Sequence, residues 1–344
     1  ERLDGHHPQG TRAKVNRGLS TLVCLLLAGP LAATEIVWPT SMDRTTIRSY
    51  EDYAQPTVSG KPESALFGMV RDEQRRFHEG VDIRPISRGP NGEPLDRIFT
   101  AMKGSVAYLN QQLNGPYGKY IILHHPEAEL PVYTLYAHLA SIEKNLKVGD
   151  QLPKGAVIAT MGRTSINATA IPKERAHLHF EIGLVLSANF GNWYNQQPDV
   201  RATPNQHGIW NGQNLAGFDP MPVLARSSVN LLDSVRQLPT ALAVTMRTKR
   251  PPDFIQRYPG LMAPGSDPAK AAGWYVEFTW HGLPKRWTAL PPESQQLPKG
   301  IWSYVALNQK FRPQLVQRKM ITADAKLPAE TLIRNVDILL TGTR

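Results

Sequence analysis

Between residues 65 and 185 the chain is a succession of short apolar runs with no room for a long helix. The runs are Ile98 to Ala101, Ser105 to Leu109, Tyr120 to His124, Val132 to Ala137, Val157 to Thr160 and His177 to Leu184. They are rich in Val, Ile and Tyr and are separated by Gly, Pro and Asn, the composition of strands joined by turns. No amphipathic 3.6-residue period interrupts them. The 29 prolines of the chain act in the same direction, favouring loops and strand edges. The expected core is therefore all-β, built from antiparallel sheets. A chain of 344 residues can hold one large domain or two smaller ones.

The N-terminal residues have the make-up of an export signal. Arg12, Lys14 and Arg17 precede the apolar stretch Leu19 to Ala28, and Leu31-Ala32-Ala33 offers small residues for cleavage. We read residues 1–33 as a signal peptide, so the mature chain is expected in the periplasm, the envelope or the medium, with no stable membrane span. Cys24, the single cysteine, lies in that segment. After cleavage no thiol would remain for a disulfide, a nucleophile or a metal. The formal net charge of +10 suits anionic polymers or surfaces, but no basic cluster is interleaved with aromatics in a way that suggests nucleic-acid recognition.

Four histidines and one aspartate carry the functional signal. They are His78 and Asp82 in Phe77-His78-Glu79-Gly80-Val81-Asp82, His138 in Tyr136-Ala137-His138-Leu139, and His177 and His179 in His177-Leu178-His179-Phe180-Glu181. Together they supply three metal ligands and two further imidazoles, enough to hold zinc and move a proton. In a strand, His177 and His179 share a face about 6–7 Å apart, with Glu181 next along it and able to orient a histidine. Gly80, Val81 and Ile83 argue against helix between His78 and Asp82, so a loop running into a short strand is expected there.

Phe67-Gly68, the stretch Gly115-Pro116-Tyr117-Gly118-Lys119-Tyr120, and the turns Lys147-Val148-Gly149-Asp150 and Lys154-Gly155 flank these motifs in a fixed order. The series, roughly Ala65 to Gly183, resembles the lysostaphin-type (LytM-type) zinc metallopeptidases of bacterial cell walls. The resemblance implies an antiparallel β-sandwich or barrel-like core of the duplicated hybrid motif type. It implies one Zn2+ held by His78, Asp82 and His179, with His138 and His177 flanking the attacking water. The implied activity is hydrolysis of peptide bonds in peptidoglycan stem peptides or cross-bridges. The alternative is a non-catalytic relative that binds wall and activates another hydrolase. All five site residues are kept, which favours the enzyme.

The domain reading is a lead-in at 34–64, a metallopeptidase domain at 65–222 with a loop insertion at 186–218, and a small α+β appendage at 223–344. The insertion is rich in Asn, Gln, Gly and Trp. In the appendage Val229 to Leu238 reads as a helix, and Ala241 to Met246, Trp274 to Trp280 and Thr331 to Leu340 read as strands. His124 and His125 match no motif position and are read as structural. His207 and His281 have no partner identifiable from sequence.

Overall fold

The computed structural model describes residues 33–71 and 76–343. The expected export segment and Cys24 lie outside these residues. No described helix is long and apolar enough to cross a membrane.

The molecule is mostly antiparallel sheet. A seven-stranded sheet carries, in spatial order, strands Gln151–Leu152, Gly104–Asn110, Tyr120–His125, Val132–Ala137, Leu178–Val185 and Leu215–Phe218, with Val81–Ile83 also paired to Leu178–Val185. A three-stranded sheet joins Arg97–Phe99, Val157–Met161 and Leu139–Ile142. Each apolar run read from sequence in this region forms a strand, with ends shifted by no more than two residues.

The Leu178–Val185 strand organises the rest. It is buried along its whole length. One edge pairs with Val132–Ala137, and the other is shared by Val81–Ile83 at its start and Leu215–Phe218 at its end. A strand with neighbours on both edges and cover on both faces loses its alternation and reads as a continuous apolar run, as Leu178-His179-Phe180-Glu181-Ile182-Gly183-Leu184-Val185 does apart from the polar residues at the site.

The C-terminal part contributes a four-stranded sheet in the order Pro284–Leu290, Gly273–Phe278, Leu242–Arg247, Trp302–Leu307. Two of these strands went unread in the sequence. Thr331 to Leu340 is a correction: the structure has a helix, Glu330–Leu339, in place of the expected strand. Its buried positions Leu332, Val336 and Leu339 recur at helical spacing. The β-branched content of the segment suggested a strand, but the period decides.

The lead-in packs into the fold. Ile36, Trp38, Met42, Tyr53 and Ala54 belong to the same buried apolar cluster as Val81 and Phe180 of the large sheet and as Trp274, Trp287, Val336 and Leu339 of the C-terminal part. Residues of the lead-in, the site-bearing sheets and the C-terminal sheet thus share one continuous core.

Candidate metal centre

Strand register brings the distant motifs together. His179 sits opposite Asp82 on one side and opposite Ala137 on the other. His138 follows Ala137 directly, and His177 precedes the strand, bridged to Gly162. His78 precedes the Val81–Ile83 strand, with Gly80 between. A Cβ on Gly80 would lie 2.3 Å from the Phe180 carbonyl oxygen, so only glycine lets the two backbones approach this closely.

The donor atoms converge. His78 Nε2 lies 3.0 Å from Asp82 Oδ1 and 3.1 Å from His179 Nδ1, and His179 Nδ1 lies 2.9 Å from Asp82 Oδ1. All three residues are buried. His177 Nε2 stands 3.5 Å from the same Asp82 oxygen. The rings of His138 and His177 are in edge contact, with centroids 4.7 Å apart.

The outer ring nitrogens settle the tautomers. An acceptor that cannot donate forces its partner nitrogen to carry the proton. His78 Nδ1 donates to the Leu66 carbonyl at 2.8 Å, His138 Nδ1 to Thr164 at 2.7 Å, and His177 Nδ1 to Arg175 at 2.6 Å. His179 is turned the other way round, its Nε2 donating to Glu181 Oε1 at 2.9 Å. In His78, His138 and His177 the lone pair left over is on the nitrogen that faces the shared space, and in His179 the nitrogen that faces it is Nδ1. Three donor atoms about 3 Å apart form the face of a tetrahedron, whose edge for zinc bonds of about 2.0–2.1 Å is roughly 3.3 Å. Two imidazoles and one carboxylate therefore fit zinc in both chemistry and spacing.

Electrostatics agree with this arrangement. Burial alone would raise the Asp82 carboxyl, but the imidazoles of His78, His177 and His179 hold it well below the usual range. Burial lowers His78 and His177, and lowers His138 furthest, with the neighbouring imidazoles adding to the effect. These rings stay neutral and keep their lone pairs. Burial opposes charge on His179, yet hydrogen bonds to Asp82 and Glu181 outweigh it and raise this ring to about 9, so at neutral pH it carries a proton on each nitrogen and would give up the Nδ1 proton to a metal. Glu181 is held ionised against burial by His179, by Tyr117 at 2.6 Å and by Tyr133 at 3.0 Å.

His138 is held in an unusual backbone conformation, with φ of +61°. Its N–H donates to the Tyr117 carbonyl at 3.0 Å, and the next N–H, of Leu139, donates to Lys119. Between these acceptors sits Gly118, whose own φ is +60° and whose Cβ would lie 2.4 Å from the Thr164 carbonyl carbon. The Gly-Pro-Tyr-Gly-Lys stretch thus shapes the loop that aims His138.

Several site residues escaped the sequence reading. Arg71 reaches Asp82 Oδ2 at 2.7 Å and also contacts the Ser64 carbonyl. Tyr117 and Tyr133 anchor Glu181. His207 hydrogen-bonds Tyr108, and it lines the cleft over the site together with His281. His125 is a buried structural residue on Lys103 and Thr134. A tyrosine or an arginine with no motif spacing gives no local signal; these contacts arise only from the fold.

Residues 76–189 match the family model of Peptidase family M23. This segment, about a third of the chain, is similar to peptidase family M23. It holds all five histidine and aspartate positions, His78, Asp82, His138, His177 and His179, and ends within the insertion. Solved structures similar to the chain include a protein named as a glycyl-glycine endopeptidase LytM from Ruminococcus gnavus, at 19% identity over 56% of this chain and 61% of that one, with a TM-score of 0.34. The catalytic domain of lysostaphin from Staphylococcus simulans matches at 18% identity over 52% of this chain and 96% of that one, with a TM-score of 0.30. A zinc-containing peptidase from Vibrio cholerae matches at 22% identity over 44% of this chain and 37% of that one, with a TM-score of 0.29. The chain thus spans 61% of the length of the Ruminococcus protein. No curated protein matches the sequence.

Proposed function

We propose that the protein is a zinc metalloendopeptidase that hydrolyses peptide bonds in peptidoglycan stem peptides or cross-bridges, acting in the cell envelope. The observation that carries this reading is the convergence of His78 Nε2, Asp82 Oδ1 and His179 Nδ1 to about 3 Å of one another. These three residues would hold the zinc. Zinc there supplies Lewis acidity, which activates water and polarises a carbonyl at neutral pH.

The remaining chemistry belongs to the chain. His138 and His177 present neutral Nε2 lone pairs toward the same space, each with its Nδ1–H fixed on a backbone carbonyl. One takes the proton of the attacking water at its Nε2, and the other, once protonated at Nε2, stabilises the charge developing on the carbonyl oxygen. Glu181 and its two tyrosines hold His179 in the tautomer whose Nδ1 faces the metal position. The site opens into a cleft of about 530 Å³, large enough for a peptide segment.

The test is zinc content together with digestion of purified peptidoglycan. The parent should hold one zinc and release wall fragments. His179→Ala should lose both properties, and His138→Ala should keep zinc and lose digestion. Digestion that survives both substitutions overturns the reading. Wall binding without zinc or digestion would favour a regulator.

A further inference from the structure

One wall of the cleft comes from the C-terminal part of the chain, far from the family segment. Arg318, at the end of the Arg312–Gln317 helix, and Arg334, in the Glu330–Leu339 helix, both line the cleft that holds His78, Asp82, His138 and His179. The Arg318 guanidinium lies 3.8 Å from the Phe77 ring centroid, one residue before His78, and its side chain is 15% exposed. That contact fixes a cation against the start of the site.

The acidic partners are too few. Glu330 is taken by Lys319 at 2.9 Å. Glu79 stands 3.9 Å from Arg318, too far for a hydrogen bond. Arg334 makes no ion pair with a described residue, and its Nε is buried without a hydrogen-bond partner. Burial lowers both guanidinium groups, Arg318 to about 10, and the charge of Glu79 opposes the shift in each. Arg318 thus pairs loosely with Glu79 and donates to the His281 carbonyl at 3.3 Å, while Arg334, with Glu79 and Glu330 nearby, has no close anion of its own among the described residues. A buried cation without an anion is costly, and a guanidinium has the planar fork that matches a carboxylate.

We propose that Arg318 and Arg334 form a carboxylate-binding subsite, which receives a free carboxylate of the peptide substrate beside the metal centre. The inference rests on the peptidase reading and names its substrate class: peptides with a free carboxylate a few bonds from the scissile amide. Stem peptides, with carboxylates at the C-terminus and on side chains, are of this kind. The subsite is supplied by the C-terminal part, so that part sets specificity.

The test measures binding rather than turnover. The His138→Ala protein is titrated by calorimetry with a stem tetrapeptide bearing free carboxylates and with the same peptide fully amidated. The carboxylate form should bind about 10- to 100-fold more tightly, the range of a charge-assisted pair. Arg334→Gln in the same background should bring it to the amide level and leave amide binding unchanged. Arg334→Lys should retain part of the preference. Equal binding of the two peptides by the His138→Ala protein overturns the subsite, as does a preference that survives Arg334→Gln. Failure of the parent to digest wall would instead count against the peptidase reading while leaving this measurement intact.

Discussion

His125 provides a quantitative test of how the sheet buries its polar groups. The ring is 1% exposed, with Nδ1 donating to the Lys103 carbonyl and Nε2 hydrogen-bonded to Thr134 at 2.8 Å. Burial pulls its pKa from 6.5 down to about 4, with the Lys103 carbonyl opposing the shift. The folded state therefore holds the ring neutral at pH values where the unfolded chain protonates it. Stability from this neutral ring is complete above about pH 6.5 and is lost as pH falls through about 4. At pH 5 the unfolded chain binds the proton and the folded one scarcely does. The gap of about 1.5 pH units at 1.36 kcal/mol each corresponds to about 2 kcal/mol. His125→Gln keeps a donor and an acceptor and cannot titrate. Urea denaturation of parent and variant, each at pH 7 and pH 5, isolates the ring, because groups common to both proteins cancel in the double difference. The parent should lose about 2 kcal/mol more than the variant on acidification. A double difference below about 0.5 kcal/mol would refute the reasoning, since it would mean that the folded sheet accepts the proton without cost.

Other consequences can be measured directly. Glu181→Gln removes the charge behind His179 while keeping its shape, and zinc affinity in a chelator competition should fall about 10- to 100-fold. Gly80→Ala places a methyl against the Phe180 carbonyl, so the strand pair that aligns Asp82 with His179 must separate. Both the melting temperature and zinc stoichiometry should drop, and a variant with parental zinc affinity would argue against that register. Trp287→Ala empties a fully buried position stacked on Phe254 and should cost about 3–5 kcal/mol in chemical denaturation. Because that tryptophan shares a core with the site-bearing sheet, the loss should appear in one transition that includes the site and not in a separate C-terminal one.

The sequence disclosed the parts of this molecule that are local. The strands around Tyr120, Val132 and Leu178 are visible because their β-branched and aromatic residues run uninterrupted between turn formers. The positions of His78, Asp82, His138, His177 and His179 are visible because strand register needs fixed spacing within each motif. What stayed hidden depends on distant segments. Arg71 meets Asp82 only after the Val70–Arg71 and Arg76–Phe77 strands have paired, and Arg318 meets Phe77 only after the C-terminal part has docked. The helix at Glu330–Leu339 was masked by its own composition, since Thr331, Ile333, Val336 and Ile338 favour strands while their spacing buries a helical face. Lead-in residues such as Trp38 and Tyr53 sit among prolines and serines, and nothing local shows that they enter the core.

The left-handed backbone at His138 has an implication for anyone evolving this protein. A branched-off imidazole in that region of φ carries strain of roughly 1–2 kcal/mol that glycine would not. Glycine would relieve that strain but vacate a buried ring and leave the Thr164 carbonyl without its donor, so a screen that rewards only heat resistance weighs packing at this position and is blind to the proposed chemistry. Any thermostable descendant should therefore be sequenced at this codon before it is trusted as a catalyst.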